Sequence, residues 1–106
     1  MQDDSPDSPR QTPFGLVLTT VPDEAQAEAL ARQIVAAGLG ACVQVEPIRS
    51  FYVWKGETCA GPEWRLSIKT RKALFARLER FIRAHHGDEV PQIVQLPIEA
   101  GSADYL

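Results

Sequence analysis

The stretch Ser50–Trp64, SFYVWKGETCAGPEW, decides the fold. Phe51, Tyr52, Val53 and Trp54 make a β-branched and aromatic run of the kind a pleated strand favours. Lys55-Gly56-Glu57 supplies polar turn chemistry, with Gly56 free to take φ > 0 at no steric cost. The segment Trp64–Lys69 then alternates apolar and polar residues with period two. Together they predict a long two-stranded ribbon with aromatics near its tip. An isolated hairpin is marginal in water, and a chain of 106 residues has little surface with which to cover both faces of one. The ribbon therefore reads as an assembly device, with Phe51, Tyr52, Trp54 and Trp64 as the expected contacts to other subunits.

Working outward, the residues before the ribbon, Leu39–Ile48, alternate, with Ala41, Val43 and Val45 facing one way and Cys42, Gln44 and Glu46 the other. Pro47 interrupts them and predicts a bulge or bend. Upstream, Phe14–Thr20 is a nearly continuous apolar run suited to a central strand, ended by Val21-Pro22. Asp23 and Gln26 fit a capping box, and Ala27, Leu30, Ala31, Ile34 and Val35 recur at helical spacing up to the stop at Gly38. Downstream, Thr70 is the expected cap of a helix from about Arg71 to His86. Its stripe is Leu74, Phe75, Leu78, Phe81, Ile82 and His85, and Gly87 ends it. Ile93–Ile98, with Pro97 near its end, suits an edge strand, and Gly101–Leu106 a closing turn. The order β-α-β-β-α-β predicts an α+β, ferredoxin-like sandwich with both helices on one face of an antiparallel sheet. Residues 14–106 are the expected domain. Residues 1–13, rich in aspartate and proline, read as a disordered tail.

Composition sets the outer limits. A hydrophobic content of 44% is enough for a real core, and a formal net charge of −3 offers no bulk attraction for nucleic acid or an anionic membrane. No apolar run approaches the roughly 20 residues needed to span a bilayer. The first dozen residues lack the basic-then-apolar pattern of a signal peptide, so the cytoplasm is the expected compartment, with the periplasm left open.

The pair His85-His86 carries the most evident chemistry. Imidazole is the commonest metal ligand, yet adjacent helical residues diverge by about 100° and lack the four-residue spacing of helical metal pairs. The spacing thus favours a structural reading, with His85 packed on the sheet and His86 at the negative end of the helix dipole. Cys42 lies on the polar side of its strand. Cys59 is expected in the ribbon turn, exposed and open to oxidation; the two form no CxxC pair. Arg77, Arg80 and Arg83 form a basic ridge that reads as a solvated face beside Glu79. No nucleophile elbow, P-loop or GxGxxG occurs, and no acid–base pair emerges, so an enzyme is not expected. An RNP pattern and a CxxC loop after the first strand are also missing, which removes the RNA-binding and copper-chaperone readings of this fold.

Several short motifs in register carry a resemblance: Val17–Glu24 (VLTTVPDE), Gly40–Val43 (GACV), Tyr52–Glu57 (YVWKGE), Ile68-Lys69-Thr70, Leu96-Pro97-Ile98, Gly101 and Tyr105-Leu106. From about Leu16 to Leu106 the chain resembles the CutA divalent-cation-tolerance family. The resemblance implies a homotrimer built like PII-type signalling proteins, in which the long second and third strands reach across to neighbours. It also implies divalent-cation tolerance, copper first, through a first-strand cysteine and the late histidine pair, here His85 and His86. The cysteine position is Thr19, a poor ligand at neutral pH, and Cys42 would substitute only if the fold brought it close. Further departures are Gly87-Asp88 and Pro91-Gln92, where the family has Pro-Tyr and Pro-Glu, and the end at Tyr105-Leu106. Two other roles stay open. One is a small-molecule signalling module contacting an anion through Arg65 and Lys69; the other is a trimeric scaffold for a partner protein.

Overall fold

The computed structural model describes residues 12–87 and 91–106. The chain runs β1 (Phe14–Val21), α1 (Glu24–Ala36), β2 (Cys42–Trp54), β3 (Glu57–Arg71), a 3-10 turn (Lys72–Leu74), α2 (Phe75–His85) and β4 (Ile93–Pro97). The four strands form one antiparallel sheet in the order β2-β3-β1-β4. This is the expected ferredoxin-like α+β arrangement. Alternation divides the sheet into two faces. Val17, Val21, Leu66 and Ile68 lie beneath Ala27, Leu30 and Ile34 of α1 and Leu78 and Ile82 of α2, and these buried side chains form the core. The alternate residues of the same strands, among them Leu16, Leu18, Ser67 and Lys69, form the open face.

The helix signals behave as their chemistry dictates, with two corrections. Asp23 caps α1, its Oδ1 accepting from Gln26 N at 2.8 Å while Gln26 Nε2 donates to Oδ2 at 2.8 Å. These bonds hold the Asp23 carboxyl below its ordinary pKa. Gly38 takes φ +73°, the left-handed stop. Val35, expected on the stripe, is 47% exposed, because one 100° step beyond Ile34 turns it away from the sheet. Thr70 does not cap α2. It stays in β3, buried, and donates to Leu39 O at 2.7 Å; a 3-10 turn intervenes and α2 starts at Phe75 without a side-chain cap. His86 is extended (φ −100°, ψ 141°), so the helix ends at His85.

The ribbon is longer and more regular than its sequence suggests. Cys42 pairs with Lys69 and every following residue pairs in unbroken register to Trp54 with Glu57. Pro47 makes no bulge, and Gly61-Pro62 do not end the strand. The turn is only Lys55-Gly56, with φ 51° and 78°, the double positive φ of a tight hairpin turn whose closing pair is hydrogen-bonded. Counting from that pair, Pro47 and Pro62 both fall on non-hydrogen-bonded positions, where a missing N–H takes nothing from the ladder. Cys59 is accordingly a β3 residue opposite Tyr52, half-buried rather than in the turn.

Of the tail read over residues 1–13, only Thr12 and Pro13 lie within the described residues. Thr12 Oγ1 donates to Ile98 O, and Pro13 O accepts from Lys72 N at 2.8 Å.

Candidate metal site

His85 closes α2 and remains exposed. Its ring stacks on Phe81 with centroids 4.2 Å apart and planes 24° from parallel, and its Nδ1 donates to Phe81 O at 2.8 Å. A carbonyl oxygen only accepts, so Nδ1 carries a proton, and in the neutral ring the lone pair is then on Nε2. His86 follows in extended backbone, half-buried, and its Nε2 donates to Thr20 O. That carbonyl is within reach because β4 begins pairing at Thr19–Ile93, one residue short of Thr20. Each imidazole is thus oriented by a backbone carbonyl, as metal-bound histidines usually are. The expected packing of His85 on the sheet does not occur; Phe81, one helical turn earlier, takes that place. The i, i+4 spacing of Phe81 and His85 was the available signal.

The remaining candidates are dispersed. Thr19 is fully buried under the helices, and its Oγ1 has no hydrogen-bond partner among the described residues. Cys42 is on the open face, two strands across and four register steps along from Thr20, roughly 16 Å by strand spacing and rise. One chain therefore does not bring Cys42 to the histidines. Among the described residues, no three His, Cys, Asp or Glu side chains group to hold a metal ion. The end of α2 thus offers imidazole nitrogens and no thiolate.

Arg65 and Lys69 both lie on the open face but differ in their partners. Arg65 is committed to Glu46, with Nε and Nη2 donating to Oε1 at 3.0 and 2.8 Å. Lys69 donates to Tyr105 Oη at 2.9 Å and forms no ion pair with an Asp or Glu among the described residues. That hydrogen bond raises the Lys69 pKa above its ordinary value; desolvation opposes the rise, and Tyr105 and Cys42 add smaller electrostatic support. Arg77 and Arg80 border a cavity beside Ala37, Leu39 and Phe81, and Arg83 lies 3.5 Å from Glu79. At the ribbon tip Phe51, Tyr52 and Trp54 are exposed, whereas Trp64 is half-buried against the core beside Val21.

Residues 15–106 match the sequence model of the CutA1 divalent ion tolerance protein family. The chain belongs to that family. A CutA divalent-cation tolerance protein of Thermus thermophilus is 40% identical over 92 residues, covering 86% of this chain and 89% of its own. A chloroplastic CutA protein of Arabidopsis thaliana is 39% identical over 101 residues, covering 94% of this chain; the match spans only 56% of that longer protein. Among solved structures, CutA1 of Oryza sativa superposes with a TM-score of 0.87 at 36% identity, covering 94% of this chain and 90% of its own. The Archaeoglobus fulgidus structure, described as a periplasmic divalent cation tolerance protein, gives 0.85 at 33% identity over 88% and 91%. CutA architecture thus accounts for the sheet order and the long ribbon together. Among the described residues, no helix is long and apolar enough to cross a membrane.

Proposed function

We propose that this member of the CutA family binds and buffers divalent cations, copper first, as a cytoplasmic homotrimer, with His85 and His86 as the ligands. The observation that carries the reading is the carbonyl-anchored imidazole of His85, whose Nε2 lone pair lies on an exposed helix end. Two imidazoles without a thiolate suit Cu(II), the tightest binder of the first-row divalent ions. Thr19 leaves no sulfur on the first strand, and Cys42 would take part only from another protomer. Three exposed aromatics at the ribbon tip, Phe51, Tyr52 and Trp54, support assembly, since a monomer rarely leaves such a cluster in water. Both cysteines are free thiols, which suits a reducing compartment.

The test is a calorimetric Cu(II) titration of chelator-stripped protein at neutral pH, with sedimentation fixing the oligomeric state. Saturable binding that is lost in the His85→Ala/His86→Ala double variant is the expected result. Equal heats from both proteins would move the site elsewhere, and no heat from the wild type would end the metal reading.

A further inference from the structure

Two separate contacts tie His85 to the residue one helical turn before it. Its Nδ1 donates to Phe81 O at 2.8 Å, and its ring lies on the Phe81 ring, centroids 4.2 Å apart and planes 24° from parallel. Only the second contact belongs to the Phe81 side chain, since a backbone carbonyl stands at that position whatever the residue. The two rings differ in how firmly they are held. Phe81 is half-buried and packs against the core. His85 is exposed at the last helical residue, and the backbone is already extended at His86. An exposed side chain at such a place ordinarily hops between rotamers within nanoseconds. Here a ring fixed by the core gives the imidazole a flat wall to lie on, and near-parallel stacking is a favourable arrangement of two such rings.

What the wall decides is which nitrogen meets solvent. Nδ1 is the ring nitrogen nearer the backbone, and a metal bound there can also take the amide nitrogen of the same residue into a small chelate ring. Nε2 lies across the ring, beyond reach of that amide. With the imidazole stacked and Nδ1 engaged by Phe81 O, Nε2 is the nitrogen left to coordinate, through one atom, while the amide of His85 stays in the helix. We propose that Phe81 is a positioning residue for the metal site, its ring holding the His85 imidazole so that Nε2 is the ligand atom and chelation through Nδ1 is shut out. The role rests on the reading of His85 as a metal ligand. The orientation itself belongs to the metal-free chain and can be read there.

The experiment takes the isotope-labelled, chelator-stripped full chain at mildly alkaline pH, where imidazoles are neutral, and reads the His85 tautomer by long-range proton–nitrogen NMR correlation. The Nδ1–H form is expected in the wild type, the reverse of the Nε2–H form that solvated histidine favours. Phe81→Leu and Phe81→Ala keep the carbonyl and lose the stack, so both should shift toward Nε2–H, whereas Phe81→Tyr should keep the wild-type pattern. Phe81→Leu also keeps most of the apolar volume, and an unchanged amide spectrum away from the end of α2 shows that the fold survives. Calorimetric Cu(II) titration of the same proteins should find Phe81→Tyr equal to the wild type and Phe81→Leu weaker by about three- to tenfold, the worth of an aromatic stack. A wild type in the Nε2–H form, or a Phe81→Leu variant with unchanged tautomer or unchanged copper affinity, would overturn the proposal. A wild type that shows the Nδ1–H form yet takes up no copper would instead overturn the metal reading on which the role depends.

Discussion

The two halves of the β2–β3 ribbon share one register and one secondary structure but live in opposite environments. In the half near the helices, Leu66 and Ile68 are fully buried. In the half toward the turn, Phe51, Val53 and Trp54 are 70%, 71% and 62% exposed. The distal half is no less apolar than the proximal one. The difference lies in what covers it: the proximal half has β1 beside it and two helices above, and the distal half has only its own partner strand. Apolar patterning therefore states that a surface will be covered without stating by which chain.

The sharpest way to break this comparison is to truncate one side chain in each half. Ile68→Ala should cost about 2–5 kcal/mol in denaturant unfolding, because it opens a hole under both helices. Val53→Ala should change the stability of a single chain by less than about 0.5 kcal/mol, and should show itself in sedimentation instead. Equal losses at concentrations too low for assembly would mean that the tip is packed within its own chain. A smaller effect of opposite sign is expected inside the covered half. Thr19→Val replaces a buried hydroxyl that has no hydrogen-bond partner among the described residues with a methyl of similar shape, and should raise stability by about 1 kcal/mol. A loss on that substitution would show that the hydroxyl is satisfied after all. The smallest effect sits at the helix start, outside both halves. Asp23 has a lowered folded-state pKa, so its stabilising share is complete above the unfolded value of 3.8 and is lost as pH falls through the folded value. An acid titration of thermal midpoints should show a shallow decline in that window that disappears in Asp23→Asn.

Much of the architecture was legible because local chemistry and tertiary packing agree. The capping pair Asp23–Gln26, the stop at Gly38 and the alternation of the β3 core end each specify a structure that the fold then uses. Expectations missed where a strong local signal was overridden by position. Pro47 looks like a strand breaker but occupies a pair that asks for no N–H, which depends on a turn tens of ångströms of chain away. Thr70 looks like a cap, yet the strand claims it for a bond to Leu39 O. At the candidate site the histidines could be picked from their chemistry, whereas their carbonyl anchors could not, since Thr20 is distant in sequence. The pairing of Lys69 with Tyr105 was equally hidden, because it needs the C-terminal turn to fold back across the sheet.

The stitching of the first described residues to the end of β4 has a consequence for tethering. Phe14 and Ile98 share a hydrogen bond, Thr12 bonds to Ile98 O, and both Phe14 and Ile98 wall a cavity beside Lys69. A segment fused to either end of the described fold starts at the rim of the same chamber. A short linker there would hold an attached probe beside Lys69 at millimolar effective concentration. The two ends of the described fold are thus natural places from which to report on that cavity.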